Sequence, residues 1–152
     1  MSTASARFET PSVVERIFNR VFGTLVGLGL GLPHNYQLQV RGRKSGRLYS
    51  TPVDVLERGG RLFLVAPRGE TQWVRNARAS GSVALRKGFR RRTFRLRPVA
   101  DADKPALLKA YLDRFKMTVQ RYFTVPAGSP TEAFGAVAAN HPVFELVPEE
   151  VT

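Results

Sequence analysis

From Tyr36 onward, short turns carrying glycine cut the sequence into brief, largely alternating segments, and this punctuation restricts the fold more than any other feature. "YQLQV" (Tyr36 to Val40), "LYSTPVDVLE" (Leu48 to Glu57) and "RLFLVA" (Arg61 to Ala66) are followed by Ser82 to Arg86 and Phe89 to Val99. "RGRKSG", "ERGG" and "RKG" separate neighbours. Alternating side chains put one face of a strand in a core and the other in water. Turns this short join only antiparallel neighbours, because a parallel pair needs a crossover of a dozen or more residues. The sheet is therefore mostly antiparallel.

The remaining segments read as helices. "TQWVRNARAS" forms a short one, with Thr71 as its cap and Trp73, Asn76 and Ala77 on one side. Two more follow, Asp103 to about Phe123 and Thr131 to Ala139, the second with Ser129, Pro130 and Glu132 placed as a capping box requires. "PVFELV", Pro142 to Val147, is a closing strand. At the start of the chain, Thr10 or Ser12 caps a helix whose apolar residues from Val13 to Val26 keep helical spacing. Its polar face vanishes after Arg20, so the second half must be buried in the domain, in a partner or in a lipid interface. The sum is one α+β domain over residues 1–152, a small barrel with helices at both ends of the chain; residues 1–9 read as disordered and 10–32 as the N-terminal helix.

Composition then narrows the chemistry. Lys and Arg number 24 against 12 Asp and Glu, a formal charge of +12 that calls for an anionic partner. Cysteine is absent, which removes disulfides, thiolate catalysis and cysteine-held metals, so any redox chemistry must come from a bound cofactor. The two histidines, His34 and His141, form no His-x-x-x-His pair and no acidic cluster accompanies them, so no metal site is expected. The apolar run Val21 to Pro33 is shorter than the roughly 20 residues a membrane span needs. It also lacks a secretory cleavage pattern. The expected location is cytoplasmic, with a peripheral contact through the N-terminal helix at the inner face of the plasma membrane.

Between the first two strands, "GRKSGR" (Gly42 to Arg47) gathers cations at a hairpin tip. It is not a phosphate-binding Walker loop, since it joins strands instead of opening a helix. Its ingredients suit an oxyanion nonetheless: glycine admits close backbone approach, successive N–H groups converge, Arg43 can bind two oxygens and Ser45 adds a hydroxyl. Alone, the stretch fits a solvated basic turn as well as a phosphate cradle. With "STP" on the next strand, "VAPRG" at a strand end and "WVRN" opening a helix, it outlines a cleft with cations at one end and Pro52, Pro67 and Trp73 as flat apolar walls. A planar ring with an anionic tail fits such a cleft.

"GRKSGRLYSTP", "RLFLVAPRG", "WVRN" and "HPVFELVP" resemble the deazaflavin-dependent nitroreductase family over roughly Gln37 to Pro148. The resemblance implies a split β-barrel of the FMN-binding type and coenzyme F420, a deazaflavin with an oligoglutamate tail, as cofactor. It implies hydride transfer from the reduced cofactor to a small hydrophobic acceptor such as a quinone, a nitroaromatic or an activated enone. Carried over by position, Arg43, Lys44, Ser45, Gly46 and Arg47 would hold the phosphate and the oligoglutamate. Thr51 and Pro52 would lie beside the ring, Val65, Ala66, Pro67, Arg68 and Gly69 would give strand-end contacts, and Trp73 and Asn76 would close the pocket. Tyr122 is the candidate catalytic proton donor, with Tyr111 in reserve. A polyanionic tail also accounts for the arginine excess. Either a monomer or a dimer is compatible with the pattern.

Two other readings stand beside this one. The same scaffold could bind a lipid or the cofactor without turnover. "RKGFRRRTFRLRP", Arg86 to Pro98, interleaves arginine with phenylalanine in a way that suits single-stranded nucleic acid. No recognition-motif aromatic pair or helix-turn-helix accompanies it, so nucleic acid is not the expected partner.

Overall fold

In the computed structural model, which describes residues 34–149, six antiparallel strands close into a barrel in the order β1-β2-β3-β6-β5-β4. The strands are β1 (Asn35–Arg41), β2 (Leu48–Arg58), β3 (Arg61–Val65), β4 (Ser82–Lys87), β5 (Arg90–Pro98) and β6 (Val143–Pro148). The expected disordered tail 1–9, and the helix 10–32 with its membrane contact, lie outside the described residues.

Local turn chemistry makes the hairpins. Gly59 and Gly60 both have positive φ, 61° and 77°, and Arg58 pairs with Arg61 across them. A two-residue turn of this kind matches the right-handed twist of the strands it joins. Closure comes from pairings distant in sequence, β3 with β6, β5 with β6 and β1 with β4. Leu38, Val55, Leu64, Phe94 and Phe144 point inward and are buried.

A short helix, α1 (Gln72–Ser80), joins β3 to β4 and sends Trp73, Val74 and Ala77 into that same core. It therefore sits at the end of the barrel where β3 stops, β4 starts and the β1–β2 hairpin turns. The β2–β3 and β4–β5 turns lie at the opposite end. A second core forms outside the barrel, where Leu56, Phe63, Val65 and Val143 meet Leu108, Tyr111, Leu112 and Phe134 from the helical segments after β5.

Those helical segments depart from the sequence expectation. Helix α2 (Pro105–Val119) leaves helical geometry at Phe115 (φ −110°, ψ 23°) and gives way to a 3₁₀ turn at Gln120–Tyr122. Thr131–Asn140 is 3₁₀ rather than α-helical, and no Ser129–Glu132 capping box forms. Pro130 takes the cap position, where it has no side-chain oxygen to offer, and Gly135 weakens helix propensity inside the segment. Thr71 does occupy the cap position of α1, yet its hydroxyl makes no capping bond. No helix among the described residues is long and apolar enough to cross a membrane.

Candidate functional site

The β1–β2 tip is a closed loop of backbone bonds. Gly42 N–H donates to Arg47 O (2.7 Å) and Gly46 N–H to Gly42 O (2.9 Å), while Arg41 Nη1 donates to Gly46 O (2.9 Å). Gly46 turns the chain at φ 74°, a conformation glycine adopts without strain. Ser45 Oγ accepts from Arg47 N–H at 3.2 Å, so the hydroxyl braces the loop from inside. Gly42 is required for a different reason: a Cβ there would stand 2.6 Å from the Tyr49 ring.

Asn76 of α1 reaches across to this tip. Its Oδ1 accepts from both the backbone N–H of Arg43 (3.0 Å) and Arg43 Nη1 (2.7 Å). Gly42, Arg43, Lys44, Ser45 and Tyr49 on one side, with Gln72 and Asn76 on the other, enclose a cleft of about 400 Å³. Arg47 stands just outside it, its guanidinium 6.0 Å from the Tyr49 ring centre.

A second cleft, about 340 Å³, lies where β3 ends, lined by Pro67, Arg68, Tyr122, Asn140 and His141. Guanidinium groups flank the Tyr122 ring, Arg121 at 4.9 Å and Arg68 at 5.1 Å from its centre, and Arg121 Nη2 donates to Tyr122 Oη at 2.7 Å. His141 is buried, stacked on Phe123 at 4.1 Å, with Nδ1 2.9 Å from Pro67 O. That carbonyl can only accept, so Nδ1 carries a proton and donates it. Burial is the main force holding the imidazole below its usual range, and the Lys104 charge adds to it against the pull of the Pro67 bond.

The two clefts are joined by a few residues of chain. Gly69, at φ 87°, lets the strand end pass Asn140 O, which a Cβ would meet at 3.3 Å. Val65, Ala66 and Pro67 are buried behind this passage, and Arg68 and Gly69 are partly exposed along it. Thr51 and Pro52 are both buried; alternation along β2 turns Thr51, with Val53, to the barrel interior and Pro52 to the other face. Trp73 is 1% exposed and belongs to the core, so it backs the first cleft from within instead of forming an open wall. Its Nε1 and Thr71 Oγ1 are the buried side-chain polar atoms without a hydrogen-bond partner among the described residues, and both belong to the start of α1.

Tyr111, the reserve candidate, is 1% exposed in the outer core, edge-on to Phe115, and burial pushes its phenol well above the ordinary range. It faces neither cleft. Sequence reasoning missed His141 and Asn140 in the second cleft and Gln72 in the first. For His141 the only available signal was its place just before Pro142 and the closing strand.

The residues present fit an anionic cofactor: a basic tip turned by Gly46, a cleft edge where Gly42 adds no side chain, and the Arg43 guanidinium held at its mouth by Asn76. Comparison with solved structures agrees on the architecture. A protein described as a domain-swapped dimer matches with a TM-score of 0.54 at 18% identity, over 88% of this chain and 92% of that one. A protein of unknown function from Agrobacterium tumefaciens matches with a TM-score of 0.54 at 21% identity, over 96% and 60%. The F420-H2 dependent reductase FDR-A matches with a TM-score of 0.52 at 17% identity, over 75% and 94%. At these identities the likeness concerns the fold, a split β-barrel. No curated protein matches the chain. The F420H(2)-dependent quinone reductase family model matches residues 13–124, most of the sequence, and the chain accordingly belongs to that family as an oxidoreductase that uses coenzyme F420.

Proposed function

We propose that the β1–β2 tip holds the phosphate and oligoglutamate of coenzyme F420 through Arg43, Lys44, Ser45, Gly46 and Arg47, and that the protein reduces a small hydrophobic acceptor such as a quinone, a nitroaromatic or an activated enone. The observation that carries this reading is the double bond set from Arg43 to Asn76 Oδ1, which fixes a cation at the mouth of the first cleft. A guanidinium held by its own neighbours loses less freedom when an anion arrives.

When bound in its reduced form, the deazaflavin supplies a hydride. This chain's residues bind, orient and manage a proton. The passage Val65 to Gly69 leads from the tip cleft toward Tyr122, and Thr51, Pro52 and Trp73, all buried, are the residues assigned to the ring end of the cofactor. Tyr122 Oη accepts from Arg121, so its own proton is the one it can give to an acceptor. Two cations beside that ring favour negative charge developing on the acceptor oxygen.

Titration with oxidised and reduced coenzyme F420, followed by menadione or a nitroaromatic, tests the reading through deazaflavin absorbance. Saturable binding and acceptor-dependent oxidation are expected, with affinity reduced about tenfold or more in the Arg43→Ala, Lys44→Ala double variant. Unchanged affinity in that variant overturns the assignment of the tip, and bound cofactor that neither acceptor oxidises overturns the assignment of acceptor.

A further inference from the structure

At the end of the barrel away from the Arg43 tip, a concavity of about 690 Å³ has Tyr36, Leu62, Leu85 and Phe94 as its floor. Lys87, Arg90, Arg91 and Arg92 form its rim. Strand register explains the gathering of charge. Val83, Leu85 and Lys87 share one face of β4, and Leu96, Phe94, Arg92 and Arg90 share one face of β5. The apolar members fill the core, and the cations continue the same inward-facing rows past its edge. Lys87 Nζ lies 4.4 Å above the Tyr36 ring and Arg92 lies 5.2 Å from that of Phe94.

Among the described residues no ion pair engages Arg90, Arg91 or Arg92. Phe89, between them and Lys87, is 95% exposed. Lys87 pairs with Arg90 across a two-residue turn in which Gly88 takes φ 64°, so the ring projects beyond the barrel with no core in reach.

We propose that this end of the barrel docks on an anionic lipid bilayer, with Phe89 entering the boundary between headgroups and acyl chains and Arg90, Arg91 and Arg92 meeting lipid phosphates. A projecting apolar tip ringed by cations matches that layered chemistry. Single-stranded nucleic acid also attracts arginine and aromatic residues, but it needs open ring faces for base stacking. Those of Tyr36 and Phe94 lie beneath Lys87 and Arg92, which leaves Phe89, among the described residues, as the one open ring around this concavity, a single projecting apolar tip and not a platform for successive bases. Docking through this surface leaves the Arg43 cleft, at the other end of the barrel, facing water.

Flotation of the full chain with vesicles of equimolar phosphatidylglycerol and phosphatidylcholine, against pure phosphatidylcholine, tests the proposal. Binding is expected on the anionic vesicles alone. Phe89→Ser weakens it about tenfold, and Arg90→Glu with Arg92→Glu on the order of a hundredfold. The charge-matched pair Arg114→Glu with Lys116→Glu, on α2, weakens it far less, and coenzyme F420 titration stays unchanged throughout. All five side chains are exposed, and thermal unfolding checks that each variant folds. Equal losses from the two charge pairs, full binding by Phe89→Ser, or displacement of both wild type and Phe89→Ser from vesicles by a single-stranded oligonucleotide would each overturn the proposal.

Discussion

Asn76 holds Arg43 through one oxygen, which accepts the arginine's backbone N–H at 3.0 Å and its guanidinium Nη1 at 2.7 Å. The helix that caps the barrel thus sets the shape of the basic tip, and Asn76 is a positioning residue. Asn76→Ala leaves both donors without this acceptor; it is expected to cost about 1–2 kcal/mol of stability and to weaken coenzyme F420 binding about tenfold. Asn76→Asp keeps an acceptor but adds a negative charge that competes for Arg43, so its binding loss should exceed that of Asn76→Ala while its stability stays closer to wild type. Fluorescence titration and thermal unfolding of both variants provide the check, and the reverse order of affinities would refute the positioning role.

Gly42 and Tyr49 make a tighter test of the same tip. A Cβ at residue 42 meets the Tyr49 ring at 2.6 Å, and that ring packs against the barrel core. Gly42→Ala must push the ring aside or open the loop closed by the Gly42–Arg47 bond, at a cost of about 1–3 kcal/mol. Gly42→Ala combined with Tyr49→Ala should recover part of that cost, because the second change removes the obstacle. A double variant no better than the sum of its parts would place the strain elsewhere.

The strands could be read from the sequence because their signal is local: alternation broken by turns of a few residues places β2 and β4 within a residue of where they lie. Closure could not, since the pairings of β6 with β3 and β5 depend on contacts made across the whole chain. The basic tip was legible for the same reason as the strands, as Arg43, Lys44, Ser45 and Arg47 sit together in sequence. His141 was not, because a 3₁₀ segment packed on α2 carries it to Pro67, 74 residues away. The inward row of β5 could be traced by parity, yet nothing in the sequence says that Phe94 lies inside the barrel and Arg92 at its mouth.

Tyr122 offers a separation of binding from chemistry. Its ring lines the second cleft with the Arg68 and Arg121 guanidinium groups within 5.1 Å of its centre, whereas Arg43 and Lys44, assigned to the cofactor tail, line the first and Arg47 stands at its edge. Tyr122→Phe keeps the ring and those contacts but removes the proton and the bond from Arg121. Turnover with menadione should fall about 10²-fold or more, with coenzyme F420 affinity within about twofold of wild type. A loss confined to cofactor affinity would assign Tyr122 to binding instead.

His141 makes stability depend on pH in a direction that burial dictates. Desolvation holds its native pKa below the ordinary 6.5, the Lys104 charge acts the same way, and the bond to Pro67 O opposes both. As pH falls below about 6.5, the unfolded chain takes up a proton at this residue that the native chain refuses. Stability therefore declines over that interval, by at most about 1.4 kcal/mol per pH unit for one group, and this contribution levels off once the native imidazole also titrates. From about one pH unit above 6.5, where the unfolded imidazole is also neutral, the residue adds almost no slope. His141→Phe retains a ring against Phe123 and removes the titration, so denaturant unfolding at pH 7.5 and pH 5.5 should give a smaller difference than in wild type, even though loss of the Pro67 bond lowers stability at both. Parallel losses in the two proteins would mean that His141 is protonated in the native state across this range.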